Sequence, residues 1–313
     1  MTSTVMVVTE LGDTTADSVI EHLHSTGMRV ARLDLVDFPG RVDFEITETG
    51  LGSLATPTRT VFFNDVRAVY WRRPTPVSCQ YDDPAVAEFA EREARAGFVA
   101  ALKALPCLHV NYPDFTRRAE NKPLQLQHAG RLGFAVPATT ITNRPARAQS
   151  FAQRHGPVVY KSLRPPEIDR DGEPLAIWAG TVAPEEITGE VAATAHQFQA
   201  QVDKIADIRL TAIGRELFAV RIDSDVLDWR SDYDQLRYEP VEVPEDVSKA
   251  VRRYLDGFSL HYGCFDFALT AAGTWVFLEC NPAGQWAWLE DETGLPMAKS
   301  FAELLARGMH GIR

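Results

Sequence analysis

Cysteine is scarce in this sequence, and no two cysteines are spaced as a pair. The 313 residues include four cysteines, which are Cys79, Cys107, Cys264 and Cys280. None forms a Cys-x-x-Cys motif and none clusters with histidine, which argues against a zinc site and against a disulfide framework. Free thiols are typical of a reducing compartment, so we expect a cytoplasmic protein.

Long apolar runs and excess positive charge are also missing. The apolar run at the amino terminus, Val5 to Val8, is too short for a signal peptide or a membrane span. The net charge of -11 opposes non-specific binding to nucleic acid or to an anionic membrane. We therefore expect neither as a partner, and an acidic substrate would need a local basic patch.

The order of apolar runs predicts an α/β protein. Residues 4–8 form a first apolar run, residues 13–24 begin with N-capping side chains, and Met28 to Leu35 is a second run. This strand–helix–strand order predicts a parallel, doubly wound sheet, and later hairpin patterns add α+β character. The composition of Ser162 to Pro174, which contains prolines and a glycine, predicts a mobile loop. We place three domains, at residues 1–117, 118–194 and 195–313.

Three oxygen-bearing side chains stand in a setting that otherwise predicts buried strands. Two apolar runs flank a turn that contains glycine, which predicts a hairpin. If Thr270 pairs with Trp275, Asp266 lies opposite Glu279, and Asn281 follows on the same face because strand side chains alternate. Two carboxylates and an amide oxygen suit Mg2+. The alternative, that these acids only face solvent, is weaker because buried strands do not usually carry unpaired acids.

Two lysines add to this pattern. Lys122 and Lys161 each stand at the edge of a predicted element, where a lysine is usually a solvated surface group. The alternative is that two ammonium groups bind a nucleotide triphosphate. No Gly-x-x-x-x-Gly-Lys-Ser/Thr motif occurs, so the chain is not a P-loop protein. Either lysine alone is weak evidence, but the order of both lysines followed by Asp207-Ile208-Arg209, Asp266 and Glu279-x-Asn281 is stronger.

That order resembles the ATP-grasp superfamily, and the resemblance covers the whole chain. It implies an ATP-grasp fold with a Rossmann-like pre-ATP-grasp domain at the amino terminus, and ATP and Mg2+ as cofactors. Residues 197–203 match the hinge strand that contacts adenine, largely through backbone groups. Ala200 stands where many relatives carry glutamate. Contacts with adenine would therefore depend more on main-chain groups and on Gln199 or Gln201. The implied nucleotide-binding residues are Lys122, Lys161, Gln199, Gln201, Val202 and Asp203, and the implied metal ligands are Asp266, Glu279 and Asn281.

A narrower resemblance is to the graspetide synthetases, the ATP-grasp macrocyclases that include the microviridin-type enzymes. The matching segments are Asp13-x-Thr15-Ala16-Asp17, Trp71-Arg72-Arg73-Pro74, Asn121-Lys122, Gln197-Phe198-Gln199, Asp207-Ile208-Arg209, Phe218-Ala219-x-Arg221-Ile222, Asp228-Trp229-Arg230 and Asn281-Pro282-x-Gly284-Gln285-Trp286. The last segment is the most specific, and the actinobacterial-type peptide maturases are most alike. The resemblance implies a ligase that phosphorylates a side-chain carboxylate of a ribosomal precursor peptide with a leader and an acidic core. A hydroxyl or amine of the same peptide then captures the acyl phosphate, with ω-esters favoured over ω-amides, and the enzyme could be a homodimer.

Arginines are the candidates for the basic patch that such a substrate requires. The guanidinium fork suits carboxylates and phosphates, although a surface ion pair is the alternative for each arginine. Arg221 stands where relatives often carry an acid. For Arg72 and Arg73 the two interpretations are equal, and for Trp286 core packing competes equally with a peptide contact. We predict catalytic roles for Arg209, Arg221 and Arg230, and substrate contacts for Arg72, Arg73 and Trp286.

Two rival functions stay open at this point. The first is a RimK-like ligase that adds amino acids to a protein or a small molecule. The second is a non-catalytic regulator that binds nucleotide on an ATP-grasp scaffold. The intact set of Lys122, Lys161, Asp266, Glu279 and Asn281 argues against the second.

Overall fold

The computed structural model describes residues 3–164, 169–170, 173–174, 177–224, 226–231 and 236–311. Much of the predicted loop from Ser162 to Pro174 therefore lies outside the described residues. The strands are β1 (Thr4–Val8), β2 (Arg29–Leu33), β3 (Asp43–Ile46), β4 (Gly52–Thr56), β5 (Arg59–Phe62), β6 (Val66–Trp71), β7 (Leu108–Val110), β8 (Thr139–Thr142), β9 (Val158–Lys161), β10 (Asp169–Arg170), β11 (Glu173–Pro174), β12 (Gly180–Val182), β13 (His196–Ala200), β14 (Ala206–Ile213), β15 (Glu216–Asp223), β16 (Arg237–Val241), β17 (Tyr262–Leu269) and β18 (Trp275–Asn281). The α-helices are α1 (Thr14–Ser25), α2 (Pro84–Ala94), α3 (Ala100–Lys103), α4 (Pro113–Ala119), α5 (Lys122–Arg131), α6 (Pro145–His155), α7 (Glu245–Phe258), α8 (Ala287–Thr293) and α9 (Met297–Arg307).

The amino-terminal sheet is parallel, in the order β2-β1-β6-β7. Helix α1 begins after Asp13, whose carboxylate accepts a hydrogen bond from the Ala16 backbone N–H at 3.3 Å. Val5 and Val7 of β1 pack with α1 and α9 on one face of the sheet. The other face packs against Phe98, in the π-helical segment between α2 and α3. The predicted doubly wound α/β architecture is confirmed, because helices cover both faces.

The central sheet is antiparallel and has the order β12-β9-β13-β8. Helix α6 covers one face, where Ala148 and Ala152 contact Phe198 of β13. This helix is absent from the sequence-based prediction. Strand β13 pairs with both β8 and β9, so it belongs to this sheet and not to the last domain, where the predicted boundary at residue 194 places it.

The carboxyl-terminal sheet is antiparallel, in the order β16-β15-β14-β17-β18. One face shares a core with the amino-terminal sheet through α8 and α9. The opposite face packs against α7, which buries Val251 and Tyr254 against Phe265. The free edge of β18 is covered by the segment at Ala135, whose carbonyl accepts from the Phe277 N–H at 2.8 Å, and by α5.

Among the helices that the structure describes, none is both long and apolar enough to cross a membrane.

Candidate active site

The two predicted metal-binding carboxylates lie directly across from each other. Asp266 of β17 pairs with Glu279 of β18, as predicted, but the assumed pairing of Thr270 with Trp275 is wrong. Trp275 pairs with Leu269, and the register then shifts between Asp266 and Phe267. This irregularity restores the opposition because it adds one residue to β18.

Each of the four carboxylate oxygens of Asp266 and Glu279 accepts from a cationic side chain. Arg209 Nη1 donates to Asp266 Oδ1 at 2.8 Å. Arg230 Nη1 lies between the two residues, 3.3 Å from Asp266 Oδ2 and 3.1 Å from Glu279 Oε1. Lys122 Nζ donates to Glu279 Oε2. We call these three cations and two carboxylates the charge cluster.

The cations perturb the titration of Glu279. The Lys122 ammonium holds the pKa of this carboxyl well below its usual range, with help from Arg230 and Lys161 and against the effect of burial. Lys161, at the end of β9, interacts electrostatically with Glu279, Arg230 and Asp266. Burial lowers the pKa of Lys161, because an ammonium group loses hydration there. Lys161 therefore brings the central sheet into the electrostatic field of the charge cluster.

The predicted metal ligands form a suitable donor set. Asn281 is paired with Cys264 and lies two residues beyond Glu279, on the same side of β18. Its amide oxygen accepts from the Ala283 N–H at 3.0 Å and keeps a second lone pair. The Arg230 nitrogen between the carboxylates marks a point where positive charge is stabilised from both strands. Within the described residues, no group of three or more His, Cys, Asp or Glu side chains is arranged for a metal. The candidate ligands for Mg2+ are two carboxylates and an amide oxygen, the donor types that this ion prefers.

The predicted hinge lies at the exit from the central sheet. Strand β13 ends at Ala200, inside the predicted hinge strand of residues 197–203, because its partner β9 begins at Val158. Gln199 is buried, and its amide Nε2 donates to Thr139 Oγ1 at 3.0 Å. Gln201 and Asp203 are exposed in the segment that joins β13 to β14.

Arg221 does not join the charge cluster. It pairs with Ile208 on β14, whereas Arg209, one residue further along β14, pairs with Val220. Alternation therefore places Arg209 and Arg221 on opposite faces of the sheet. The Arg221 guanidinium lies 2.8 Å from Asp223 instead. The prediction that Arg221 forms one basic patch with Arg209 and Arg230 is wrong, because Arg221 lies on the opposite face of the sheet from Arg209 and forms an ion pair with Asp223.

Arg72 is buried instead of lining a substrate surface. Its side chain is 2% exposed, and its Nε lies 3.3 Å from Asp13 Oδ2. Its Nη1 donates to the carbonyls of Ala283 and Gly284 at 3.1 and 3.4 Å. The predicted peptide contact is therefore wrong for Arg72, which supports the loop after Asn281.

Trp286 is also buried, at 0% exposure, and its ring stacks on Phe301 at 5.1 Å. The structure therefore places Trp286 in the core, which was the alternative interpretation. The predicted peptide contact of Trp286 is wrong. Arg73, in contrast, is exposed.

Two acidic residues near the cluster are missing from the predicted site. Asp228 accepts from Arg230 Nε at 3.0 Å and from the Ala179 N–H at 3.4 Å, which links the central domain to the charge cluster. Asp207 accepts from Lys204 Nζ at 2.5 Å. Both acids belong to segments that carry the family resemblance, and that signal could have identified them.

The structure is similar to solved structures of ATP-grasp ligases over nearly its whole length. A RiPP-associated ATP-grasp ligase from Chryseobacterium gregarium, in complex with ADP and a leader and core peptide, is 26% identical with a TM-score of 0.89; the match covers 97% of this chain and 96% of that chain. The macrocyclase MdnC from Microcystis aeruginosa, bound with precursor peptide MdnA, is 25% identical with a TM-score of 0.86, covering 97% and 99%. The D-alanyl-alanine synthetase A from Vibrio cholerae, at 13% identity and a TM-score of 0.59 over 98% and 99%, shares the fold alone. No family model and no curated protein sequence matches the chain.

The chain is an ATP-grasp ligase. Within that class it groups with the graspetide synthetases, the macrocyclases of ribosomal peptides.

Proposed function

We propose that this chain uses ATP to phosphorylate Asp or Glu side chains of a ribosomal precursor peptide and closes ω-ester or ω-amide rings within that peptide. The observation that carries the proposal is the charge cluster, where two opposed carboxylates meet three cations beside Lys161. Similar ligases with a bound leader and core peptide or precursor peptide support the substrate class.

The proposed nucleotide site joins the central sheet to the charge cluster. Lys122 and Lys161 would bind the phosphates of ATP, and the segment from Gln199 through Asp203 would contact adenine. Asp266, Glu279 and Asn281 would hold Mg2+, which neutralises phosphate charge and orients the γ-phosphoryl group. Similar ligases in complex with ADP, in two structures with Mg as well, support both cofactors.

Two arginines have different proposed roles because their burial differs. The Arg209 side chain is 7% exposed, and its Nη2 also donates to the Gln285 carbonyl at 3.0 Å. It therefore holds Asp266 in place. The Arg230 side chain is 36% exposed and reaches the cluster from the segment at Asp228. Its fork would orient the acceptor carboxylate of the peptide.

The chemistry proceeds in two balanced steps. A carboxylate oxygen of the peptide attacks the γ-phosphorus of ATP, which forms an acyl phosphate and releases ADP. A Thr or Ser hydroxyl, or a Lys amine, then attacks the acyl carbon, loses its proton and expels inorganic phosphate. Holding both groups of one peptide together makes ring closure intramolecular, which favours it over hydrolysis. Each ring costs the peptide one water, and we favour esters because the resemblance to the ester-forming subgroup supports them.

We further propose a homodimer in the cytoplasm. The dimer rests on the family resemblance, and the compartment rests on four cysteines that are all free. A molar mass measured by light scattering of the purified chain tests the dimer.

Mass spectrometry of a co-expressed acidic peptide, encoded next to this gene, tests the proposed reaction. We expect the loss of one water per ring, whereas a RimK-like ligase would add the mass of an amino acid. Glu279→Gln and Asn281→Ala should abolish the loss of water, while Glu292→Gln, an exposed control on α8, should not. A folded Glu279→Gln enzyme with near-normal turnover would sink the metal assignment, and a chain that releases no ADP with any such peptide would favour the regulator.

A further inference from the structure

Gln125 is a buried polar residue that the proposed chemistry does not use. It lies on α5, is 1% exposed, and its side-chain amide makes three hydrogen bonds. Nε2 donates to the Cys280 carbonyl at 2.8 Å and to the Ala119 carbonyl at 2.6 Å. Oε1 accepts from the Cys280 N–H at 3.0 Å.

These bonds satisfy the outer edge of the carboxyl-terminal sheet. Strand β18 is the outermost strand of its sheet, so among the described residues no further strand pairs with the N–H and C=O of Cys280 on that side. The amide of Gln125 carries the same donor and acceptor as a peptide group and takes the place of the missing strand. Because a buried peptide group without a partner is costly, α5 is held at one position along β18.

That position determines where a nucleotide-binding group lies. Lys122 is the first residue of α5, three residues before Gln125 and therefore about one helical turn away. Cys280 follows Glu279 directly, and Glu279 is the residue that Lys122 contacts. One turn of α5 thus carries both the contact with the strand backbone and the contact with its carboxylate.

We propose that Gln125 is a positioning residue that fixes Lys122 beside Glu279 for binding of the ATP phosphates. The proposal rests on the proposed function, in which Lys122 binds nucleotide. A lysine side chain is flexible, because it has four rotatable bonds. Its ammonium group reaches Glu279 reproducibly only if the helix that carries it is held in a fixed position. Gln125 supplies that placement through backbone hydrogen bonds and touches no reacting group itself.

The test compares the affinity for ADP, measured by titration calorimetry with Mg2+ present, among matched variants. Gln125→Met keeps the side-chain length and removes all three hydrogen bonds, and we expect it to weaken ADP binding about tenfold. Gln125→Glu keeps an oxygen that can accept from the Cys280 N–H, but its second carboxylate oxygen faces the carbonyl oxygens of Ala119 and Cys280 and repels them. We therefore expect a similar loss of ADP affinity. Gln127→Met, on the exposed side of the same helix, should stay within about twofold of wild type. Melting curves show that each variant is folded.

A double-variant cycle separates positioning from general support of the fold. If Gln125 acts through Lys122, Gln125→Met should cost nothing further in a Lys122→Met background. Additive losses, or wild-type ADP affinity in folded Gln125→Met and Gln125→Glu, would overturn the proposal. Normal ADP binding by Lys122→Met alone would instead refute the nucleotide role of Lys122 in the proposed function, and the positioning role would fail with it.

Discussion

Arg230→Ala should make the candidate metal site bind a divalent cation more tightly when no nucleotide is present. Arg230 Nη1 lies between Asp266 Oδ2 and Glu279 Oε1, at 3.3 and 3.1 Å. A cation bound by both carboxylates would compete with this nitrogen. Arg230 is also the most exposed of the three cations, at 36% against 25% for Lys122 and 7% for Arg209, so it is the one most able to leave.

The size of the effect follows from those two contacts. A hydrogen bond to a charged group contributes roughly 1.5–3 kcal/mol when it is well protected from solvent. The exposure of Arg230 screens its contacts, which places the cost of displacing it just below that range, at about 1.4 kcal/mol. That free energy corresponds to about a tenfold change in affinity.

Titration of the purified protein with Mn2+, followed by electron paramagnetic resonance, measures this affinity directly. Arg215→Ala is the control, because it also removes one arginine charge. Arg215 is exposed in the turn between β14 and β15, six residues and roughly 20 Å beyond Arg209. Screening over about 8–10 Å makes that charge ineffective at the cluster. Equal or weaker Mn2+ binding by Arg230→Ala, with Arg215→Ala unchanged, would show that Arg230 does not compete for the site.

The structure supports three more predictions. Arg209→Met should destabilise the protein by about 3 kcal/mol in urea unfolding, because it removes the shorter of the two hydrogen bonds that buried Asp266 accepts from arginine among the described residues; a loss below about 1 kcal/mol would contradict this. Burial lowers the pKa of Lys161 from the ordinary lysine value of 10.5. The affinity for ADP should therefore be full below the lowered pKa, where Lys161 is charged, and should fall as the pH rises through that pKa. Calorimetry across this pH range tests the idea, and an unchanged pH profile in Lys161→Arg, which stays charged, would count against it. Trp286→Ala should cost about 3–5 kcal/mol in urea unfolding by opening a cavity beside Phe301, and a stable variant with impaired peptide binding would refute its assignment to the core.

The proposed site could be assembled from sequence where the chemistry is local. The hairpin predicted from the two apolar runs placed Asp266 opposite Glu279, and the structure confirms that pairing. The assumed register was nevertheless wrong by one residue at Trp275, because an irregularity inside a hairpin leaves no clear trace in the pattern of apolar residues. The outcome agreed because the carboxylates lie beyond the irregularity.

Burial and sheet face were much harder to predict. Arg72 and Trp286 belong to motifs of the family, yet both side chains are buried. Arg72 contacts the loop after Asn281, and Trp286 packs against Phe301 of α9. The burial of Arg72 could not be predicted from its motif, because its partners in that loop are distant in the sequence. Arg221 differs from Arg209 only in parity across a hairpin, and its ion pair with Asp223 appears only in the folded chain.

The sequence by itself determined the α/β class, the parallel amino-terminal sheet and the types of side chain that the site contains. These depend on the spacing of apolar residues and on short motifs, which act over a few residues. Only the tertiary structure decided which cations reach Asp266 and Glu279, and that Gln125 joins α5 to the edge of β18. Those contacts join residues as far as 157 positions apart, as Lys122 and Glu279 are, so they exist only once separate sheets and helices have packed together.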